Sequence, residues 1–491
     1  GYSTYPQKLK SLSDWAFTHG VNSTVLHLYI HQPYENTYPG IDAWFGTEFN
    51  RKNTWFKHMD LFTMYHKRCN FMLQQGTNVA DVAYYIGEDN PIMRGSLEPK
   101  LPEGFNYDFI NAEVIARDMV VKDGRFVLPN GTTYRVLVLP PQETMRPAVL
   151  RKIEQLVSAG GVILGTPPTR SPSLQDYPRA DKWVQQLARQ IWSDGSKKQH
   201  IYGKGIVFNG VSLEDIFQTL SIIPDFFTGQ DSIAYTHRTF NGKEIYFLAN
   251  LTGKPVEFKA IFRVKEMQPE LWDALSGTTR FLPAFEKSAT TIVPLKLAAN
   301  GSAFIVFNQK GKLPGNDAIA NFPVPTLVAS INNPWQVSFE YDSVKRGPDK
   351  PIALNELKDW TKFDDERIRY YSGTAVYTTS FKVDTISPQK TYYLNLGDLT
   401  ATAKVRLNGR YVGGVWTYPY HVNVSSALQE GNNVLEVEVI NTWKNRLIGD
   451  YRLPKKKRLV ESKINLWNGD STLQRSGLFG PVTLFETDDQ K

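Results

Sequence analysis

Residues 25–55 read VLHLYIHQPYENTYPGIDAWFGTEFNRKNTW, and this stretch decides how the first part of the chain is interpreted. The apolar run at residues 25–30 predicts a buried strand, and Pro33 then starts a long loop. A buried strand that opens onto a functional loop is typical of the C-terminal strand ends of α/β barrels. Aromatic faces beside carboxylate, amide and guanidinium groups suit a sugar, although the loop could also merely pack on its neighbours. The loop's aromatic and ionisable residues are His31, Tyr34, Glu35, Tyr38, Asp42, Trp44, Phe45, Glu48 and Arg51.

Two predicted helices flank this stretch. Residues 7–19 place Leu9, Leu12, Trp15 and Ala16 on one helical face and end before Gly20. Residues 54–75 repeat apolar side chains every three or four positions and end before Gly76; these are Trp55, Met59, Phe62, Tyr65, Cys69 and Leu73. A helix, strand, loop and helix cannot close a barrel. We therefore predict that residues 1–76 are the last βα part of an α/β barrel whose earlier strands lie upstream of this chain.

Residues 77–230 alternate predicted strands and helices. Strands are predicted at 79–87, 134–141 and 162–168, and helices at 109–119, 146–160 and 181–192. This alternation predicts a parallel sheet covered on both faces, as in flavodoxin-like or glutaminase-like domains. Gly160 and Gly161 follow a helix, so they do not form a phosphate loop, and no cysteine or GxSxG elbow follows a strand. We interpret this domain as non-catalytic.

The remainder of the chain is predicted to be all-β. Residues 231–312 predict a small β-sandwich, residues 309–334 a linker rich in Gly, Pro and Asn, and residues 313–491 an eight-stranded jelly roll. Asn408 and Gly409 stand between two strand patterns and predict a two-residue hairpin. The predicted fold class is thus multidomain α/β plus all-β.

Composition and cysteine count argue against a disulfide-rich, a membrane-spanning and a nucleic-acid-binding protein. The chain has 491 residues, 13% aromatic content and a net charge of +7. Cys69 is its only cysteine, which excludes a disulfide framework and favours a buried, inert thiol. No apolar run reaches the length of a membrane span, and no nucleic-acid motif is present. The basic run at residues 455–458 is interpreted as a solvated loop rather than a nuclear signal or a patch for an anionic partner.

Among the candidate site residues, Glu48 is the best-placed carboxylate, because it lies beside aromatic side chains in GTEFNR. Glycoside hydrolysis needs a second carboxyl group, for which Glu35 and Asp42 are candidates. His31 is predicted to hydrogen-bond a ligand, whereas His27 is predicted to be a core histidine. No HExxH or EF-hand spacing indicates a metal site.

A second cluster of candidates lies in the C-terminal domain, in VWTYPY and NTWKNRLIGDY. It admits two interpretations: a sugar-binding face, or buried turns held by asparagine and arginine hydrogen bonds, which we favour. Its members are Trp416, Tyr418, Asn441, Trp443, Asn445, Arg446 and Asp450.

The chain resembles glycoside hydrolase family 106, the α-L-rhamnosidases. The segments that carry the resemblance are HLYIHQP (27–33), GTEFNRKNTW (46–55), YHKRCNFMLQQGTNVADVAYYIGED (65–89), SGTAVYTTSF (372–381), LNGRYVGGVWTYPY (407–420), NTWKNRLIGD (441–450) and SGLFGPV (476–482). The resemblance implies an inverting, calcium-dependent hydrolase of terminal α-L-rhamnosyl linkages in plant polysaccharides or glycosides. It also implies a periplasmic or secreted bacterial location.

This chain departs from the family pattern because most of the catalytic barrel is absent. The paired carboxylates and most calcium ligands are therefore expected upstream, and this chain alone is expected to be inactive. No catalytic residue is carried over from the family, so Glu48 stays the catalytic candidate on the grounds of its place in the loop. The substrate-binding candidates are His31, Trp44, Arg51, Asn53 and Trp55, and no metal ligand is assigned. The alternative function is a non-catalytic carbohydrate-binding protein that uses an aromatic patch of the jelly roll around Trp416 or Trp443.

Overall fold

A computed structural model of the chain describes residues 2–88, 95–193, 195–308, 319–341, 347–464 and 466–488. Its α-helices are α1 (Pro6–Thr18), α2 (Met59–Leu73), α3 (Ala112–Arg117), α4 (Pro147–Ser158), α5 (Arg179–Trp192), α6 (Leu213–Thr219), α7 (Glu366–Arg369) and α8 (Lys444–Tyr451). Short 3-10 helices cover Thr54–His58, Trp360–Lys362 and Lys455–Lys457. Within these described ranges, no helix has the length and apolar character needed to cross a bilayer.

The predicted buried strand at residues 25–30 is wrong. These residues are extended but have no regular secondary structure, and their side chains alternate between exposed and half-buried. Val25 is 88% exposed and His27 is exposed, so His27 is not a core histidine. A β-strand requires a hydrogen-bonding neighbour, and none of the described strands pairs with this segment.

Helix α1 buries a different face from the predicted one. Leu12 and Trp15 are 63% and 47% exposed, whereas Lys10 and Asp14 are fully buried. Lys10 Nζ lies 2.5 Å from Asp14 Oδ2 and also donates to Ser302 Oγ at 2.9 Å. Because each charge has a partner, the helix can turn this polar pair inward, which apolar periodicity does not reveal.

Helix α2 is placed as predicted, with Phe62, Tyr65 and Cys69 almost fully buried. Burial raises the pKa of the Cys69 thiol, in agreement with an inert role. The two helices share one core with the outer face of a sandwich sheet and with the C-terminal domain. That core comprises Phe17, Phe49, Trp55, Phe62, Tyr65, Cys69, Met72, Leu73, Ile245, Phe247, Ala249, Ala274, Phe304, Val306, Trp416 and Ile440.

The α/β region forms a six-stranded sheet with helices on both faces. In spatial order its strands are Tyr107–Ile110, Val82–Tyr85, Val136–Val138, Val162–Leu164, Gly205–Phe208 and Gln199–Tyr202, of which only the last is antiparallel. The predicted helix at 109–119 is shorter than expected, because its first residues continue a strand and Asn111 caps α3 by accepting from Val114 N at 3.0 Å. The Gln199–Phe208 hairpin and α6 were not predicted. A small sheet of Val120–Lys122, Arg125–Val127 and Thr133–Tyr134 lies alongside.

Two antiparallel sheets enclose the core of the small β-sandwich. One contains Thr77–Asn78, Ile233–Phe240, Lys243–Asn250, Ser302–Asn308, Gln268–Trp272 and Thr279–Phe281, and the other contains Phe226–Phe227, Val256–Phe262, Thr291–Leu297 and Glu286–Lys287. The short strands Thr77–Asn78 and Phe226–Phe227 come from the two ends of the α/β region. Each pairs with a strand of the sandwich, so strand pairing joins the two regions at both ends.

The C-terminal domain is a larger two-sheet sandwich around a single core. One sheet contains Ile352–Leu354, Trp335–Phe339, Thr374–Val383, Gly431–Ile440, Thr402–Leu407 and Arg410–Val415, and the other contains Thr326–Ser330, Thr483–Asp488, Lys390–Asn395 and His421–Asn423. Asp398–Thr400 pairs separately with Gly477–Gly480, so the strands exceed the predicted eight.

The predicted linker and the predicted hairpin have different outcomes. Residues 309–318 of the linker lie outside the described residues, and Thr326–Ser330, predicted as linker, is a strand paired with Thr483–Asp488. The hairpin is confirmed: Leu407 pairs with Arg410, and Asn408 and Gly409 have φ values of 52° and 78°.

Candidate active site

The loop after the extended segment is held in place at its base by a few hydrogen bonds. Gln32 is buried, and its amide exchanges two 2.7 Å hydrogen bonds with the backbone of Ile41. Arg51 Nη2 donates to Gln32 O at 2.5 Å, and Trp443 Nε1 donates to Lys52 O at 2.8 Å. The loop is therefore anchored both to itself and to the C-terminal domain, as a binding loop on a scaffold must be.

Glu35 forms an exposed ion pair with Arg51. Its carboxylate accepts from Arg51 Nη2 at 2.5 Å and Nη1 at 3.0 Å. This hydrogen bonding by Arg51 lowers the pKa of Glu35 to about 2. A carboxyl group held ionised in this way is poorly suited to proton donation, so Glu35 is a weak candidate for the general acid.

Glu48 and Asp42, the other two carboxylates, both approach the buried Tyr2. Glu48 is half-buried, and its Oε2 accepts from Thr47 N at 2.8 Å. Asp42 Oδ2 accepts from Tyr2 OH at 3.2 Å and from Ser462 Oγ. Burial and the Asp42 charge raise the pKa of Tyr2, and the Glu48 charge adds to this shift. The structure thus brings two candidate acids to one end of the loop, Asp42 more firmly hydrogen-bonded than Glu48.

The outer side of the loop presents aromatic rings to solvent. Trp44 is 82% exposed, and its ring stands perpendicular to that of Phe45 at a centroid distance of 5.1 Å. The ring of His27 lies 5.7 Å from Phe45, and His31, four residues further along the chain, is exposed. An exposed aromatic pair next to an imidazole group can contact a sugar through both ring faces and hydrogen bonds.

Two of the predicted substrate-binding residues lie in the interior. Trp55 has no exposed surface, and its Nε1 donates to Thr4 O at 3.1 Å. Asn53 is buried, and its Nδ2 donates to Glu48 O at 2.7 Å. In this structure neither side chain offers a surface to a ligand; Asn53 instead positions the backbone of Glu48.

Trp416 and Trp443 are buried as well, so they do not form the open aromatic patch that the carbohydrate-binding hypothesis requires. The favoured interpretation of their cluster is confirmed by hydrogen bonds to backbone oxygens. Asn441 Nδ2 donates to Tyr371 O and Asn445 Nδ2 to Gln474 O, both at 2.7 Å.

The described residues include no group of three or more His, Cys, Asp or Glu side chains that could hold a metal ion. Calcium requires six to eight oxygen ligands.

Tyr2 and Ser462 were missed by the sequence analysis. Tyr2 donates its backbone N–H to Thr47 Oγ1 at 3.2 Å and its hydroxyl to Asp42. Both contacts span forty or more positions along the chain, and no local pattern indicates them. Only a map of pairwise contacts would have found them.

Comparison with known proteins identifies the family. The family model described as alpha-L-rhamnosidase (glycoside hydrolase family 106) matches residues 1–286, and a glycosyl hydrolase 2 galactose-binding domain-like model matches residues 354–465. The solved rhamnosidase of Novosphingobium sp. PP1Y superposes with a TM-score of 0.90 at 32% identity, covering 99% of this chain and 46% of that one.

A protein of Formosa agariphila described as a "Putative beta-glucuronidase" is 26% identical, covering 99% of this chain and 62% of that protein. The chain thus spans between about half and three-fifths of the length of these relatives. Its matched region exceeds half of the sequence and begins at the first residue. The chain belongs to glycoside hydrolase family 106, the alpha-L-rhamnosidase family.

Proposed function

We propose that this chain is the C-terminal portion of a glycoside hydrolase that removes terminal α-L-rhamnosyl groups from plant polysaccharides or glycosides with inversion. The observation that carries the proposal is the anchored loop that presents Trp44, Phe45 and His31 to solvent and also carries the half-buried carboxylate of Glu48. The unpaired extended segment at residues 25–30 supports a catalytic barrel completed by strands outside this chain. Those strands would correspond to the part of the Novosphingobium rhamnosidase that this chain does not cover.

Within this proposal, Glu48 is one of the two carboxyl groups that act across the glycosidic bond. In an inverting reaction one carboxylate takes a proton from water as the water attacks the anomeric carbon, and a carboxylic acid protonates the departing oxygen. The two groups are then roughly 6.5–9.5 Å apart. The second group would come from the completed barrel, or from Asp42 if the hydrogen bonds from Tyr2 and Ser462 are released.

Calcium and location are further parts of the proposal. The ligands of a calcium ion would come mostly from residues outside this chain, because the described part provides no cluster of its own. A periplasmic or secreted bacterial location follows from the resemblance alone.

The test is hydrolysis of an aryl α-L-rhamnoside by this chain and by a form extended to the length of the relatives, with and without a chelator. We expect activity only in the extended form, loss of about a hundredfold or more in E48Q, and a much smaller loss in the matched variant E35Q. NMR of the first product anomer would establish inversion. An aryl β-glucuronide serves as the competing substrate, and its preferential cleavage would overturn the rhamnosyl assignment.

A further inference from the structure

Two lysines meet where the N-terminal segment crosses the C-terminal domain. Lys8 Nζ lies 5.0 Å from the ring centroid of Tyr5 and donates to Ser3 O at 3.1 Å. Lys444 Nζ lies 4.2 Å from the ring centroid of Trp467. Ser3 O also accepts from Gln474 Nε2 at 3.4 Å, which joins the two chain segments. Each ammonium group is therefore held over an aromatic face at one junction.

No described carboxylate forms an ion pair with either lysine. Asp398 is near Tyr5, but it is already paired with Arg475 Nη1 at 2.5 Å. Burial lowers the pKa of Lys8, and the charge of Lys444 lowers it further; burial also lowers the pKa of Lys444. Two cations that repel each other in a half-enclosed place create a favourable position for an anion.

The surrounding segment has the same sign of charge. Residues 444–475 contain nine lysines and arginines and three acidic residues, a net charge of +6, compared with +7 for the whole chain. Most of the excess positive charge of the protein is thus carried by the segment that borders this junction. Such a local positive potential attracts a polyanion to the surface.

We propose that this junction, formed by Lys8 and Lys444 with Tyr5 and Trp467, binds the anionic groups of an acidic glycan. The ligand class is a sugar chain with uronate carboxylates or sulfate esters, whose charges the ammonium groups pair and whose rings the aromatic edges contact. The glycan assignment rests on the proposed function, whereas the anionic character rests on the junction alone. The site binds without cleavage and borders the Glu48 loop, since Trp443, which precedes Lys444, contacts Tyr38 at a ring distance of 5.7 Å.

Calorimetric titration of the chain at low ionic strength tests this proposal independently of hydrolysis. The probes are tetragalacturonate, a sulfated galactose tetrasaccharide, neutral galactotetraose and duplex DNA. We expect at least one anionic sugar to bind, the neutral one to bind at least about tenfold more weakly, and added salt to weaken binding. Binding of only the carboxylated or only the sulfated sugar would identify which group is recognised.

Variants localise the binding. K8Q/K444Q should weaken it about tenfold or more, and K8R/K444R should retain it, because the arginines keep both charges. The control K122Q/K182Q removes two exposed lysines from the α/β region and should stay within about twofold of the unmodified chain. Unchanged binding by K8Q/K444Q, equal affinity for the neutral sugar, or binding of DNA alone would each overturn the proposal. Loss of rhamnosidase activity in the separate assay would leave these titrations unaffected.

Discussion

At the residue scale, the Lys10–Asp14 pair is the least expected part of the core. Both side chains are fully buried, and Tyr65 OH also donates to Asp14. Replacing Lys10 by Met leaves the Asp14 charge without its cation, which costs about 3–5 kcal/mol in the free energy of unfolding. Chemical denaturation with hydrogen exchange in α1 measures this loss. L12A, on the exposed face of the same helix, should change stability little, and an equal loss in both variants would contradict the assigned buried face.

A second residue-scale prediction concerns His237, which is buried between two carboxylates. Its Nδ1 lies 3.0 Å from Asp225 and its Nε2 2.8 Å from Glu244. Burial opposes the charged imidazole, but the two carboxylates outweigh it and raise the pKa of His237 to about 9, from 6.5. A raised folded-state pKa stabilises the fold fully below pH 6.5, and this contribution is lost as the pH rises through 9.

We therefore expect stability to fall by roughly 3 kcal/mol at most between these pH values. Denaturation midpoints across this interval measure the slope. H237Q should be less stable at neutral pH and should lose most of this pH dependence. A stability that does not fall over the same interval would show that His237 is neutral in the fold.

At the element scale, the hairpin at Asn408 and Gly409 requires a positive φ at Gly409. This requirement can be tested without disturbing side-chain packing. A Cβ added at Gly409 would meet no atom within 4 Å, but its φ is 78°. Gly253 also has open space and no positive φ. We expect G409A to destabilise the C-terminal domain by about 1 kcal/mol and G253A to be nearly neutral in thermal unfolding. Equal effects of the two substitutions would show that backbone strain is not the cause.

The elements that the sequence predicts well are those specified by their own residues. Helix α2, three of the five parallel strands and the Asn408–Gly409 turn follow from local periodicity and turn chemistry. The extended residues 25–30 have the composition of a buried strand, but composition cannot supply the neighbouring strand that pairing requires. Thr326–Ser330 is the opposite case, because its composition predicts a linker but it forms a strand. That strand depends on pairing with Thr483–Asp488, more than 150 positions later.

The same distinction applies to the candidate site. Glu48, Trp44 and His31 were chosen from residue type and loop context, and their roles stay predictions. The burial of Trp55 and Asn53 is decided by Thr4 and by the packing of distant segments, which no local pattern reports. Aromatic content alone therefore does not separate a sugar-binding ring from a core ring.

At the scale of the whole molecule, the N-terminal helices are a shared layer between two β-domains. Trp416 of the C-terminal domain contacts Phe62 and Tyr65 of α2 at ring distances of 5.3 Å and 5.4 Å. On the opposite side, Phe17 of α1 contacts Phe247 of the small sandwich at 5.9 Å. The base of the candidate active site is thus stabilised by contacts made far away along the chain.

This arrangement predicts that a substitution in the C-terminal domain loosens an N-terminal helix. W416A removes a buried indole at a cost of about 3 kcal/mol, which corresponds to about a hundredfold faster hydrogen exchange in α2. Helix α4 should be unaffected, because its core does not include Trp416. W192A, in the core of the α/β region, provides the reciprocal control and should accelerate exchange in α4 and α5 but not in α2. If W416A left the protection of α2 unchanged, the indole of Trp416 would not contribute to the stability of this helix.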